Sequence, residues 1–470
     1  MPGPFGLKTS WSIRPGFRGR RVGDIFRLVA NICSVIGLID WLRLFVVPCG
    51  SVYFAGHLSG QVSSGELRIA APYNIVHRGE RLLSHHDAGR APGIDLLRAL
   101  AIAAVMLYHI SSHGIALPAF VEHGWMGVDL FFVLSGYLIG WQVLREYARG
   151  AAPRWRRFML SRAFRILPAY YTVLALYLLM PVLLPQWREG GDLQAPWKFL
   201  TFTLNLHPEW ERGTAYSHAW SLCVEEHFYL LFPVVAWSIA ARSRGWLVAA
   251  LAAGIVAVGM ALRAWLWSHQ VAPYLDAGDT ATAMRQFIAT IYNPTWSRLD
   301  GLLAGVMLSA VRAFRPAWWE RLMCRAWLFL PLGAAIVAGC TRMQPVSATG
   351  AVFLFPVVAL GCACLVVGAA SPRTWLGRQH LPGVRPLAVL AFSLYLTHKA
   401  VYAALDTALP DVGRQAPASA LLIYASVSVA VAALLYLAVE RPGLRLRDRW
   451  LRRPLTVASR YRCADEQSSG

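Results

Sequence analysis

Ten apolar runs of near-helical length, separated by polar loops, account for most of the chain beyond residue 90. They fall at roughly 94–114, 126–144, 166–185, 220–240, 246–267, 298–313, 326–341, 349–369, 387–407 and 417–439. A helix needs about 20 mostly apolar residues to cross a bilayer, and several of these runs are somewhat short. The pattern predicts an all-α polytopic membrane protein of about ten transmembrane helices, with both ends on the same side. Residues 91–445 then form the transmembrane domain, preceded by an extension over 1–90 and followed by a basic cytoplasmic tail over 446–470. Within the extension, Ile25–Pro48 is apolar but broken by Arg27, Asp40 and Arg43. That stretch has neither the charge-free length of a span nor the pattern of a signal peptide. The extension reads either as a disordered or amphipathic segment, or as the product of a start codon placed too far upstream.

Composition supports the membrane class. Apolar residues make up 56% of the 470, with 19 Trp and a mean hydropathy of +0.44, above the range of soluble domains. The net charge of +20 would suggest nucleic acid in a soluble chain, but the positions of the charges decide otherwise. With the start of the first run placed in the cytoplasm, the inner loops and tail hold 22 Arg and the outer loops six Lys or Arg. This is the positive-inside asymmetry, and it argues for an N-in/C-in multi-pass protein with no nucleic-acid partner. The eight Cys show no C-x-x-C spacing and most lie in apolar runs, so they read as small core residues rather than metal ligands or disulfides.

Ionisable residues inside apolar runs are expensive in a membrane and mark candidate chemistry. His109 follows Arg98 by eleven positions in the first run. Eleven steps of 100° are three turns plus about 20°, so both side chains share one face, about 16 Å apart along the axis. Arg162 and Arg165 sit with Arg98 at inner helix ends, where planar guanidinium groups suit phosphate oxygens. Asp129, Glu225 and His398 fall at a depth similar to His109, with Arg298 and Asp300 at the outer mouth of the sixth run. Ser221, Glu225 and Tyr229 share a face at i, i+4 spacing, while Glu226 and His227 point elsewhere. Ser135-Gly136 reads as a close-packing contact, since no G-x-S-x-G elbow accompanies it.

Six blocks occur in order: GVDLFFVLSGYLI at 127–139, RAFRILP at 162–168, HAWSLCVEEHFYLLFP at 218–233, SRLDGLLAG at 297–305, FSLYLTH at 392–398 and VERP at 439–442. With the Arg98…His109 helix they resemble the acyltransferase-3 family of integral-membrane O-acyltransferases over roughly residues 90–450. Members of that family modify lipopolysaccharide O-antigens, exopolysaccharides, nodulation factors and some macrolides. The resemblance implies acetyl-CoA or another acyl-CoA as donor on the cytoplasmic side and a hydroxyl acceptor, usually on a sugar or lipid-linked glycan. It also implies a catalytic His109, an essential Arg98, and an Arg162/Arg165 pair associated with the donor; no metal is expected. Many members carry a fused extracytoplasmic esterase-like domain, which is expected to be missing here because the chain runs only about thirty residues past its last helix.

Together these readings give an enzyme of the bacterial inner membrane. His109 would act as general base on the acceptor hydroxyl, oriented by Asp129 or Glu225, with Arg98, Arg162 and Arg165 on the donor. Tyr229, Arg298, Asp300 and His398 are candidates for substrate binding, although ion pairing between helices is the plainer role for Arg298 and Asp300. The alternative within the family is a macrolide or other small-molecule O-acyltransferase. The competing class is a proton-coupled transporter using the same buried groups as a relay, which would call for inverted repeats that are not seen.

Overall fold

The computed structural model describes residues 91–452 except 114, 116, 184–188, 190, 207–213, 241–244 and 411. The expected extension at 1–90 and the tail beyond 452 lie outside the described residues. Every apolar run forms helix: α1 (Pro92–Ile110), α2 (Met126–Ala148), α3 (Trp155–Leu183), α4 (Trp220–Ala240), α5 (Gly245–Leu266), α6 (Asp300–Phe314), α7 (Ala326–Cys340), α8 (Ala348–Ala370), α9 (Val384–Ala408) and α10 (Pro417–Leu435). A π-helical turn, Tyr436–Glu440, carries α10 directly into α11 (Arg441–Arg452). The helix therefore runs on across the boundary expected at 445. Among the described residues no strand forms, and only an isolated bridge joins Leu193 to Ala215.

Among the described residues, seven helices are long and apolar enough to cross a membrane. An eighth span results if α7 and the preceding Pro316–Cys324 helix, bent by 74°, count as one. The two remaining apolar runs explain the gap from the expected ten. Helix α6 has only 15 residues, and α4 carries Glu225 and Glu226. Helix α4 nonetheless presents Leu230, Leu231, Val234 and Trp237 outward, a face suited to lipid.

Helix α1 packs between α2 and α9, α2 lies along α6, and α8 covers α1, α2 and α6 from the other side. The contact of α2 with α6 is close enough to exclude side chains. A Cβ on Gly136 would meet the Leu302 carbonyl oxygen at 2.1 Å, and one on Gly305 would meet the Val133 carbonyl oxygen at 2.1 Å. Small residues at such crossings let membrane helices approach backbone to backbone, as expected for Gly136. Of the described cysteines, Cys223, Cys340, Cys362 and Cys364 are buried and unpaired. Replacing Gly305 by Ala should force α2 and α6 apart and cost about 1–3 kcal/mol, as overpacking does. A lowered thermal unfolding midpoint of the detergent-purified protein checks this, against an unchanged midpoint for Gly254→Ala, where the added methyl meets nothing within 4 Å.

Candidate active site

His109 is half-buried on the last turn of α1, and its Nδ1 lies 2.9 Å from Nε2 of His398 on α9. His398 is fully buried, and its Nδ1 sits 3.0 Å from the Leu394 carbonyl oxygen and 2.9 Å from that of Tyr395. Carbonyl oxygens only accept, so Nδ1 of His398 carries the proton. In the neutral ring Nε2 then holds a lone pair and accepts from Nδ1–H of His109. The chain of donors leaves Nε2 of His109 with a lone pair, the form a general base requires.

This partnership corrects the expectation that Asp129 or Glu225 would orient His109. Asp129 instead accepts from Arg298 at 2.8 Å, and both are almost wholly buried. Arg298 is enclosed by the rings of Phe355, Tyr292, Trp220 and Phe132, the nearest centroid at 4.1 Å. A guanidinium stacks on such faces, which explains how a cation tolerates this depth. Asp300 is engaged elsewhere: Arg263 of α5 donates to both of its oxygens, at 2.8 and 3.2 Å, and to the Ser297 carbonyl oxygen at 2.6 Å. Arg298 and Asp300 thus have separate partners, and both pairs tie the entrance of α6 to neighbouring helices. Arg263 was not among the sequence candidates, although a single Arg within an apolar run was the signal for it.

Glu225 is held by two hydroxyls. Ser135 donates to one oxygen at 2.8 Å and Tyr229 to the other at 2.7 Å, so the expected i, i+4 pair forms and Ser135 has a polar role beside its packing one. Arg162 and Arg98 lie within electrostatic reach of Glu225. Arg162 donates to Gln142 at 2.8 Å with its guanidinium over the ring of Tyr229. One turn before Glu225, Ser221 meets the Tyr395 hydroxyl at 2.6 Å. Tyr395 donates to the His218 carbonyl oxygen, so Ser221 is the donor in that contact. Tyr395 precedes His398 by three residues, which places Glu225, Ser221, Tyr395, His398 and His109 in one succession of polar groups across α4, α9 and α1.

Other parts of this neighbourhood became visible only on folding. His218 stacks edge-on to His398 with ring centroids 5.1 Å apart. Lys399 pairs with Glu189 at 2.7 Å, drawing a buried acid from the loop after α3 onto α9. His113, one turn beyond His109, contacts Asp406, which also accepts from Tyr424. At the far end of α1, Arg98 and Arg165 line a cavity of about 410 Å³ together with Glu440 and residues of α11. Arg162 faces Tyr229 instead, so the three expected donor arginines divide between two environments. No cluster of three or more His, Cys, Asp or Glu suited to a metal occurs among the described residues.

The chain belongs to the acyltransferase-3 family: the family profile, described as an acyltransferase domain, matches residues 92–437. "Putative peptidoglycan O-acetyltransferase YrhL" of Bacillus subtilis (strain 168) is 27% identical over 346 residues, 68% of this chain and 50% of that protein. Peptidoglycan O-acetyltransferase OatA of Listeria monocytogenes (strain EGD-e) is 32% identical over 151 residues, covering 30% of this chain and 23% of that protein. A "Putative O-acetyltransferase" of Staphylococcus aureus (strain COL) is 28% identical over 228 residues, 46% of this chain and 34% of that protein. The chain thus spans between about a quarter and a half of the length of these relatives. No solved structure matches.

Asp129→Asn should leave Arg298 buried without its counter-charge and destabilise the protein by about 3–5 kcal/mol, as loss of one member of a buried pair does. The double variant Asp129→Leu, Arg298→Met should recover much of that loss. Thermal unfolding of the three proteins in detergent measures both.

Proposed function

We propose that the protein is a membrane-bound O-acyltransferase. It would move an acyl group, acetyl by the names of its relatives, from acyl-CoA to a hydroxyl of a cell-envelope or secreted carbohydrate. The bacterial inner membrane is the site where a cytoplasmic thioester and an envelope glycan can meet. The observation that carries this reading is the hydrogen bond from His109 to His398, which sets the imidazole in the tautomer of a base.

A sugar hydroxyl is a poor nucleophile at neutral pH. Nε2 of His109 takes its proton as the oxygen attacks the thioester carbonyl, and the imidazolium formed is held through Nδ1 by His398. The carbon–sulfur bond breaks, an ester forms, and the imidazolium of His109 returns its proton to the departing thiolate, which restores the neutral base. His398 touches His109 alone in this scheme and is a positioning residue, comparable to the orienting member of a hydrolase triad. Glu225, fixed by Ser135 and Tyr229 and within electrostatic reach of Arg98 and Arg162, would border the acyl arm in this reading. Arg98 and Arg165 would supply positive charge toward the donor's phosphates, while Arg162, turned to Gln142 and Tyr229, would brace the ring that holds Glu225. Asp129, Arg298 and Asp300 act as braces, and Tyr229 acts through Glu225.

His109→Ala should lower acetyl transfer from acetyl-CoA by about 10²-fold or more, the usual worth of a general base, while membrane insertion persists. Mass spectrometry of surface polysaccharide for a lost acetyl mass, with immunodetection of inserted protein, tests it; normal acetylation would refute the assignment. His398→Leu should depress kcat by about 10²–10⁴, as loss of a tautomer-setting partner does, with little change in the acceptor KM. Steady-state kinetics on solubilised protein separate the two constants.

A further inference from the structure

The cavity at the inner end of α1 has a wall that the family match does not include. Its floor and one side come from α1 and α3 through Arg98 and Arg165, and its other side from the π-turn and α11. The family profile ends at residue 437; Glu440 and Arg441 of the lining fall in the VERP block, and Arg445 and Arg447 lie beyond both. With Arg98 and Arg165 they bring five guanidinium groups against the two carboxylates of Glu440 and Asp448, an excess of three positive charges.

This wall is built rather than loosely apposed. Tyr436 and Glu440, the first and last residues of the π-turn, both border the cavity, and such turns recur at functional positions. Glu440 is 1% exposed and accepts from Ser393 of α9 at 2.8 Å, which fixes the start of α11. Gly443 then brings α11 against α3, since a Cβ there would lie 2.9 Å from the Phe164 carbonyl oxygen. Beyond it, Arg441, Leu444, Arg445 and Asp448 follow at i, i+3, i+4 and i+7, one face of the helix, and all border the cavity. Arg447 borders it as well and is steered by Asp448 at 2.8 Å. Arg441 and Arg445 are exposed, as are Arg449 and Trp450, but the latter two do not border the cavity and have the disposition of membrane-surface anchors. The lining arginines of α11 are therefore distinguished from ordinary anchors by their face and by the cavity they border.

We propose that α11 is a clamp for the phosphorylated nucleotide end of the donor. Arg441, Arg445 and Arg447 would grip its phosphates opposite Arg98 and Arg165, with Tyr436 offering a ring to the base. The volume of about 410 Å³ is that of pockets which take small organic ligands, and forked guanidinium groups fit phosphate oxygens bidentately. The consequence is selectivity: the enzyme would discriminate acyl-CoA from shorter thioesters by contacts that α11 adds to Arg98 and Arg165. This inference rests on the acyl-CoA reading above.

The test uses the full-length protein in neutral-lipid nanodiscs. The KM for acetyl-CoA, acetyl-dephospho-CoA and S-acetylpantetheine is measured for the wild type and for Arg441→Gln and the double variant Arg445→Gln, Arg447→Gln. The expected result is a wild-type preference for acetyl-CoA that collapses in the variants, with the acetyl-CoA KM raised about tenfold or more for each guanidinium removed. A preference that survives intact in the variants overturns the clamp and leaves the donor reading standing. A wild type that neither binds nor uses acetyl-CoA overturns the donor reading itself. A third outcome also overturns the clamp: unaltered acetyl-CoA kinetics with loss of co-purified phosphatidylglycerol by native mass spectrometry, which would make the cavity a lipid-headgroup site. Where the Gln variants do not fold, Arg445→Lys with Arg447→Lys keeps the charge and removes the fork. A raised acetyl-CoA KM in that variant supports the clamp, and an unchanged ratio overturns it.

Discussion

Within a low-dielectric bundle the two neutral imidazoles of His109 and His398 share one proton position, and the remaining chemistry follows from which nitrogen holds it. The backbone decides. Two carbonyl oxygens of α9 face Nδ1 of His398 and compel it to donate, which makes its Nε2 an acceptor and the His109 Nδ1 a donor. No carboxylate is needed to select the tautomer of His109. For the base proposed here, a neutral partner would also avoid the cost of burying an anion next to a group that must cycle through a cation.

That bond is only as good as the placement of α1 against α9, and the surrounding bundle supplies rigidity by two different means. Where α2 crosses α6, glycine brings backbone against backbone, leaving no side-chain layer that could slide. Around the start of α6, two buried Arg–Asp pairs link segments far apart in the chain, one of them wrapped in aromatic rings. Such pairs add little net stability compared with apolar packing, but a mispaired arrangement would strand a charge in the interior. They therefore favour one assembly of helices over its neighbours.

The charge distribution gives the molecule a direction. Guanidinium groups collect at one end of α1 and imidazoles at the other. A donor anchored by phosphates and an acceptor approaching from the opposite side would meet at the histidine pair. The extension of α10 through a π-turn into α11 deepens the basic end beyond what the family domain alone provides.

Apolar run length and the bias of arginine among the loops were enough to establish an all-helical multi-pass chain, because a helix in lipid satisfies its backbone internally and needs only enough apolar residues to span. The same periodicity put Arg98 and His109 on one face and paired Glu225 with Tyr229, since those relations lie within a single helix. Contacts between helices were not legible. Depth alone put Asp129, Glu225 and His398 at one level and pointed to Asp129 or Glu225 as the partner of His109, and only the packing of α9 on α1 gave that place to His398. Arg263 pairs with a residue 37 positions away and Arg298 with one 169 positions away, and no local rule carries such information. Sequence determined which residues lie at which level; tertiary structure decided which of them touch, because a helix fixes the height of a side chain and its neighbours fix the rest.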